Sequence, residues 1–106
     1  IRMLCKEKHT LKACIEYLQW KGYLVIRNNS GKIFINRNGK TRAIKLGSPG
    51  SSDIIACSPG GKFVAIEVKT KKGRLTPKQK EFLEKVSKLG GIALVVRDVD
   101  DLMKKI

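Results

Sequence analysis

Residues 53–69 read Asp-Ile-Ile-Ala-Cys-Ser-Pro-Gly-Gly-Lys-Phe-Val-Ala-Ile-Glu-Val-Lys, and this stretch decides the fold. Two apolar runs of strand length, 53–57 and 63–69, flank a Ser-Pro-Gly-Gly turn. They predict an antiparallel pair of strands. Such a pair would bring the end that begins with Asp53 next to the end that contains Glu67.

The second of these strands ends in charged residues. Because successive side chains of a strand point to opposite faces, Glu67 and Lys69 share one face, and the valines and isoleucine of the strand line the other. A carboxylate or an ammonium group is costly to bury unless it is paired or bound to a metal. A metal-dependent site for phosphodiester chemistry would explain this placement.

Each of these residues also has a purely structural interpretation. Asp53 would cap the serine-rich loop that precedes it. Glu67 and Lys69 would form a surface ion pair on an edge strand, which contributes little to stability. The spacing of the aspartate to the Glu-Val-Lys tripeptide and the apolar flanks of the strand favour the functional interpretation.

The chain is strongly basic. It carries 23 Lys and Arg against 9 Asp and Glu, a formal charge of +14 over 106 residues. This balance indicates a polyanionic partner, of which nucleic acid is the foremost. Asp53 is the only acid between Tyr17 and Ile66 and stands among many cations, which suggests a negative site within a positive surface. Charge alone does not separate an enzyme from a basic ribosomal or chromatin protein.

Length and cysteine usage restrict the class of protein. Residues 1–106 suffice for one domain with one hydrophobic core. Cys5, Cys14 and Cys57 show no Cys-x-x-Cys spacing and His9 is the only histidine, so neither a disulfide framework nor a zinc site is supported. No apolar run approaches the roughly 20 residues that span a bilayer. We expect no membrane association and a cytoplasmic location, whether nucleoid-associated or phage-encoded.

The pattern of elements predicts an α/β domain. Helices are predicted over 7–21, 77–89 and 98–103, and strands over 23–27, 32–37, 41–46, 53–57, 63–69 and 92–96. The first three strands read as a meander, with a tight hairpin at Asn38-Gly39. Thr76 and Gln79 form a capping box at the start of the second helix. The wholly apolar strand 92–96 is typical of a sheet centre.

Metal-assisted hydrolysis of a phosphodiester suits the charged strand ends. A bound Mg²⁺ or Mn²⁺ shields the phosphate, generates hydroxide near neutral pH and stabilises the leaving oxygen. Because magnesium takes one or two carboxylates, Asp53 and Glu67 would suffice as metal ligands, with the Val68 carbonyl as a third. Lys69 would stabilise the pentacoordinate transition state or orient the nucleophile.

Three longer stretches resemble the VRR-NUC nucleases, a branch of the PD-(D/E)XK phosphodiesterases. They are GSSDIIACSPGGKFVAIEVK at 50–69, GRLTPKQKEFLEKVSKLGG at 73–91 and ALVVRDVDDL at 93–102. One departure is visible, because this family usually has proline directly before the aspartate, where Ser52 stands here. That difference weakens the match of the loop without removing a catalytic group.

The resemblance implies a restriction-endonuclease-like fold, a mixed β-sheet flanked by α-helices. It implies that Asp53 and Glu67 bind the metal and that Lys69 is the catalytic lysine. It also adds two catalytic candidates, Gln79 on the second helix and Glu16 on the first. From the residues alone, Gln79 serves the capping box and Glu16 is an ordinary helical residue, so both interpretations stay open, as does the number of metal ions.

Basic residues near the predicted site are expected to contact phosphates, and they are Lys71, Lys72, Arg74, Arg42 and Lys45. Nothing in the sequence resembles a base-reading helix, so we expect structure-selective cleavage of DNA. Stand-alone members of this family are similar to Holliday-junction resolvases, which act as homodimers. The resemblance therefore implies a homodimer acting on junction or flap DNA in repair.

Two alternatives remain beside this interpretation. One is a noncatalytic nucleic-acid-binding module with the same fold, and the other is a nuclease for plain duplex ends. Retention of Asp53, Glu67 and Lys69 together favours an enzyme.

Overall fold

The protein is described by a computed structural model that covers residues 2–28, 32–45 and 52–106, without the side chains of 2–7, 27, 32–35 and 43–45. Three helices and six strands are formed in these ranges: α1 (Arg2–Trp20), β1 (Leu24–Arg27), β2 (Lys32–Arg37), β3 (Lys40–Lys45), β4 (Ile54–Cys57), β5 (Phe63–Val68), α2 (Pro77–Lys88), β6 (Ile92–Val96) and α3 (Val99–Lys105). Residue 46, the predicted end of the third strand, lies outside the described residues.

Four strands form the main sheet, in the order β1-β4-β5-β6. β4 is antiparallel to β1 and to β5, whereas β6 is parallel to β5. The predicted antiparallel pairing of the two apolar runs is confirmed, with Ile54 opposite Ile66 and Cys57 opposite Phe63. The α/β class with a mixed sheet is confirmed as well.

The predicted meander of the first three strands is wrong. β2 and β3 pair only with each other in a separate two-stranded sheet, around a turn with φ of 53° at Asn38 and 75° at Gly39. β1 instead pairs with β4, from Leu24 opposite Cys57 to Arg27 opposite Ile54. The reason is burial, because Val25 of β1 packs against the main core from this position.

The predicted central position of strand 92–96 is also wrong, since β6 is at the edge of the sheet. Its sequence is apolar because helices cover both of its faces. Leu94 and Val96 contact the core below α1 and α3, and Ala93 and Val95 contact the core below α2. At the edge, Lys105 Nζ donates a hydrogen bond of 2.9 Å to the Val95 carbonyl.

Two helical layers enclose the sheet. α1 buries Cys14 and Leu18 together with Leu102 of α3 against one face. α2 buries Leu83 and Val86 on the opposite face, against Ala65. α1 begins five residues before the predicted start, because 2–6 contain no glycine or proline to stop it.

The predicted end of α2 at two glycines is confirmed. Gly90 has φ of 93°, a conformation that glycine adopts without strain. A Cβ at Gly91 would lie 2.8 Å from both the Phe63 carbonyl and Val86 Cγ1, so the chain enters β6 through a space that only glycine fits. None of the helices in the described part of the chain has the length and apolar character that a membrane span requires.

Candidate active site

Asp53 and Glu67 meet where β4 and β5 come together. The β4–β5 register ends with Ile54 opposite Ile66, and one further step places Asp53 opposite Glu67. Asp53 Oδ2 accepts a hydrogen bond of 2.9 Å from the backbone N–H of Val68. The aspartate side chain therefore reaches across to the strand that carries the glutamate, as the sequence predicted.

The two acids differ in burial. Glu67 is 2% exposed, whereas Asp53 is half-buried. Because Ala65 lies in the core beneath α2, Glu67, two residues further along the same strand, points to that same face. Lys69 is also on this face. It is half-buried, just past the end of β5, where its backbone N–H donates 3.0 Å to the Val96 carbonyl.

Asn28 holds the backbone before and at the aspartate, a role that the sequence did not reveal. Its backbone N–H donates 2.9 Å to the Asp53 carbonyl, and its Nδ2 donates 2.9 Å to the Ser52 carbonyl. Asn28 directly follows β1, so its position would have followed from the pairing of β1 with β4. That pairing was not predicted.

Ser52, which stands where the nucleases that the sequence resembles usually have proline, is completely buried. Its hydroxyl has no hydrogen-bond partner among the residues that the structure describes. The Ser52 carbonyl accepts a bond from Asn28 Nδ2. With serine at this position, Asp53 is still held against β5 by the Val68 N–H.

Gln79 forms the predicted capping box at the start of α2. Gln79 Oε1 accepts 2.9 Å from the Thr76 backbone N–H, and the Gln79 backbone N–H donates 3.2 Å to Thr76 Oγ1. The structural interpretation of Gln79 is thus confirmed. Its catalytic role stays a prediction.

Glu16 is exposed on α1, the helix that packs on the opposite side of the sheet from α2. Among the side chains that the structure describes, no three of His, Cys, Asp or Glu lie close enough together to hold a metal ion. Glu16 is therefore not gathered with Asp53 and Glu67, and its catalytic role also stays a prediction.

The oxygen donors at the strand ends fit a hard divalent cation. They are the carboxylates of Asp53 and Glu67 and the carbonyl of Val68, and Mg²⁺ and Mn²⁺ bind such donors together with water and substrate phosphate. Asp53 uses one hydrogen bond to Val68, and a carboxylate has about four acceptor positions in all. Capacity for a metal bond therefore remains on Asp53.

Exposed basic side chains follow Lys69 in the chain and also lie on the separate hairpin. Lys71, Lys72 and Arg74 are exposed in the loop that follows Lys69. Arg42 is exposed on β3, whereas the side chain of Lys45 lies outside the described part of the chain.

Arg97 directly follows β6 and contacts the loop after Lys69. Like the role of Asn28, this contact was not predicted from the sequence. Its guanidinium donates 2.6 Å to the Thr70 carbonyl and also donates to the Gly73 carbonyl. An arginine after an apolar strand was visible in the sequence, but carbonyl acceptors on a distant loop leave no signal there.

Comparison with known proteins agrees with the fold. The sequence profile described as the VRR-NUC domain matches residues 6–100. A solved structure titled "VRR_NUC domain" superposes with a TM-score of 0.66 and 23% sequence identity, covering 93% of this chain and 91% of that chain. At this identity the likeness shows the fold. No curated protein matches the chain.

Proposed function

Because the chain belongs to the VRR-NUC domain family, a family of nuclease-type domains, we propose that it is a Mg²⁺- or Mn²⁺-dependent endonuclease that hydrolyses phosphodiester bonds of DNA. The observation that carries this proposal is the placement of Asp53 against β5, with its carboxylate on the Val68 N–H and beside Glu67. Two acids and a lysine on rigid strand ends make a fixed site, which catalysis requires.

Asp53, Glu67 and the Val68 carbonyl are the proposed metal ligands. The bound ion would supply Lewis-acid chemistry at the phosphate and a more acidic water. The protein holds the ligands in place through the β4–β5 pairing and through the bonds from Asn28 to the Ser52 and Asp53 carbonyls. Burial of Glu67 keeps one ligand away from bulk water, which strengthens its attraction to a cation.

Lys69 is the proposed catalytic lysine. It shares a face with Glu67, and its backbone is fixed by the Val96 carbonyl at 3.0 Å. An ammonium group in this position stabilises the charge that develops on the phosphate in the transition state, or orients the attacking water. Gln79 and Glu16 are proposed auxiliary residues.

Branched DNA is the proposed substrate. A formal charge of +14 supports attraction to a polyanion. The basic side chains next to the site, Lys71, Lys72 and Arg74, are exposed in a loop and suit contacts with the phosphate backbone, as Arg42 and Lys45 do on the hairpin. Such contacts read shape more than sequence, which favours junctions or flaps as substrates.

A homodimer is part of the same proposal. α2 covers only part of its face of the sheet. On the uncovered part of that face, Leu24 and Ile26 of edge strand β1 are 69% and 59% exposed, and Phe63 is 48% exposed. The register joins Leu24 to Phe63 through Cys57, so these side chains are neighbours. A contiguous apolar surface of this kind suits a contact between protein chains.

Cleavage of a panel of labelled DNAs tests the function. Four-way junction, flap, single-stranded and duplex DNA are each incubated with Mg²⁺, with Mn²⁺ and with EDTA. We expect cutting of the branched DNAs in either metal and none in EDTA. Tight binding without cutting in every condition would contradict the proposal and would favour a noncatalytic DNA-binding module.

A further inference from the structure

Arg97 fastens the loop that follows Lys69. Its Nη1 donates to the Thr70 carbonyl at 2.6 Å and to the Gly73 carbonyl. The Gly73 backbone N–H donates 3.0 Å to the same Thr70 carbonyl, which closes a tight turn over 70–73. One guanidinium group thus binds both ends of this turn, while the two lysines at its tip are exposed.

The backbone that carries Arg97 is itself held by hydrogen bonds. The Arg97 backbone N–H donates 3.1 Å to Asp101 Oδ2 at the start of α3. Directly before it, Val96 is completely buried and its carbonyl accepts from the Lys69 backbone N–H at 3.0 Å. The end of β6 therefore fixes the chain on both sides of Thr70.

We propose that Arg97 is a positioning residue that holds the 70–73 turn so that Lys71 and Lys72 bind DNA phosphates beside the cleavage site. This inference rests on the proposed nuclease function and deepens it. Arginine suits the role because Nη1 of its planar guanidinium carries two N–H donors in a fixed geometry, and this one atom bonds both carbonyls. In this account the guanidinium bonds the carbonyls of the turn, and the two lysines contact the DNA.

The alternative is that Arg97 binds a phosphate itself. The two accounts differ in additivity. If Arg97 acts through the lysines, its removal lowers DNA affinity no further once both lysines have been replaced. If Arg97 contacts DNA independently, the fold-losses of affinity from the two changes multiply. They also differ for Arg97→Lys, which keeps the positive charge but loses the planar pair of Nη1–H donors.

The first test measures DNA binding in EDTA, where no metal-dependent cleavage interferes, as a function of salt. The variants are Arg97→Met, Arg97→Lys, the double variant Lys71→Ala/Lys72→Ala and the triple variant that adds Arg97→Met. Each phosphate contact contributes about 0.9 to the slope of log affinity against log salt on duplex DNA. We expect Arg97→Met and Arg97→Lys each to lower the slope toward that of the double variant. The triple variant should bind within about 2-fold of the double variant.

A matched control is Arg74→Met. Arg74 is exposed in the same loop. When Arg74→Met is added to the double variant, the two fold-losses of DNA affinity should therefore multiply. The positioning role is wrong if the affinity loss from Arg97→Met multiplies in the same way with that of the double variant. It is also wrong if Arg97→Met binds DNA with the wild-type affinity and salt slope.

A second variant reaches the turn without touching Arg97. Gly73→Pro removes the backbone N–H that donates 3.0 Å to the Thr70 carbonyl, so the turn loses the bond that closes it. We expect this variant to reproduce the lowered salt slope of Arg97→Met. It keeps the inference testable even if Arg97→Met folds poorly, and a wild-type slope in Gly73→Pro would count against the inference.

Limited trypsin digestion separates this inference from the proposed function, because it needs neither DNA nor catalysis. We expect faster cleavage after Lys71 and Lys72 in Arg97→Met than in the wild type, detected by mass spectrometry, at an unchanged melting temperature. Unchanged cleavage would overturn the inference even if the protein cuts DNA. Faster cleavage in a protein that neither binds nor cuts DNA would support the role of Arg97 in the turn but would overturn both the proposed function and the assigned phosphate contacts.

Discussion

The backbone N–H of Val68 donates a 2.9 Å hydrogen bond to Asp53 Oδ2. This bond joins the start of β4 to the residue between Glu67 and Lys69. The proposed metal ligands are thus held where β4 pairs with β5, and the proposed catalytic lysine directly follows β5 and is bonded to β6 through the Val96 carbonyl. Substitutions within this site should therefore affect chemistry more than folding.

Lys69→Met tests the transition-state role of the ammonium group. Lys69 is half-buried past the end of β5, so methionine should leave the fold intact. Removing one group that stabilises transition-state charge costs roughly 10²- to 10³-fold in rate, and we expect a loss of that size in single-turnover cleavage. Lys62→Met is a matched control, because Lys62 is an exposed lysine just before the other end of the same strand. Equal rates in the two variants would contradict the assignment.

Gln79→Glu and Gln79→Ala separate capping from catalysis. Glutamate preserves the capping box, whereas alanine loses the bond to the Thr76 backbone N–H. We expect Gln79→Ala to lower the free energy of unfolding by about 1 kcal/mol and Gln79→Glu to change it little, as measured by urea denaturation. If Gln79→Glu is stable but cleaves slowly, the amide has a role beyond the cap; wild-type cleavage would limit Gln79 to the cap.

Cys14 and Cys57 should differ in reactivity. Burial raises the pKa of the Cys14 thiol from 9.0 to about 11, with smaller contributions from the nearby carboxylates of Asp98 and Asp101. Cys57 is exposed. Since the thiolate is the reactive form, only about one Cys14 in a thousand is reactive at pH 8, and this fraction grows about tenfold per pH unit up to the pKa. We expect iodoacetamide at pH 8 to label Cys57 and to spare Cys14 until the protein is unfolded in urea, as read by peptide mass spectrometry. Fast labelling of Cys14 in the folded protein would contradict its burial between α1 and the sheet.

The proposed dimer surface is tested by Leu24→Lys/Ile26→Lys. Both side chains are exposed, so charge there should not disturb the monomer. We expect light scattering after size exclusion to show a dimer for the wild type and a monomer for the double variant. Met103→Lys, on α3 across the sheet, places a charge on another exposed apolar residue and should stay dimeric. A monomeric wild type would refute the dimer.

Local features of this fold were predictable from the sequence, and long-range choices were not. The Thr76–Gln79 capping box and the Asn38-Gly39 turn depend on neighbouring residues, so their sequence signals suffice. The meeting of Asp53 with Glu67 also followed, because a short turn fixes the register of the strands that it joins.

The partner of β1 could not be predicted in this way. Several short apolar strands compete for each place in a sheet, and packing of the whole core decides among them. Asn28 escaped notice because its role depends on that pairing. The contacts of Arg97 could not be predicted because its acceptors, the Thr70 and Gly73 carbonyls, are backbone groups that any residue supplies.

The most direct test of the central claim compares the wild type with Asp53→Asn in single-turnover cleavage and in DNA binding. Asparagine keeps an oxygen for the Val68 N–H but removes the negative charge of a metal ligand. The account predicts that Mg²⁺-dependent cleavage falls by at least about 10²-fold, while affinity for the same DNA in EDTA is equal or higher, because a negative charge near phosphate has been removed. Wild-type cleavage by Asp53→Asn would show that the carboxylate at the start of β4 is not part of a metal-dependent active site.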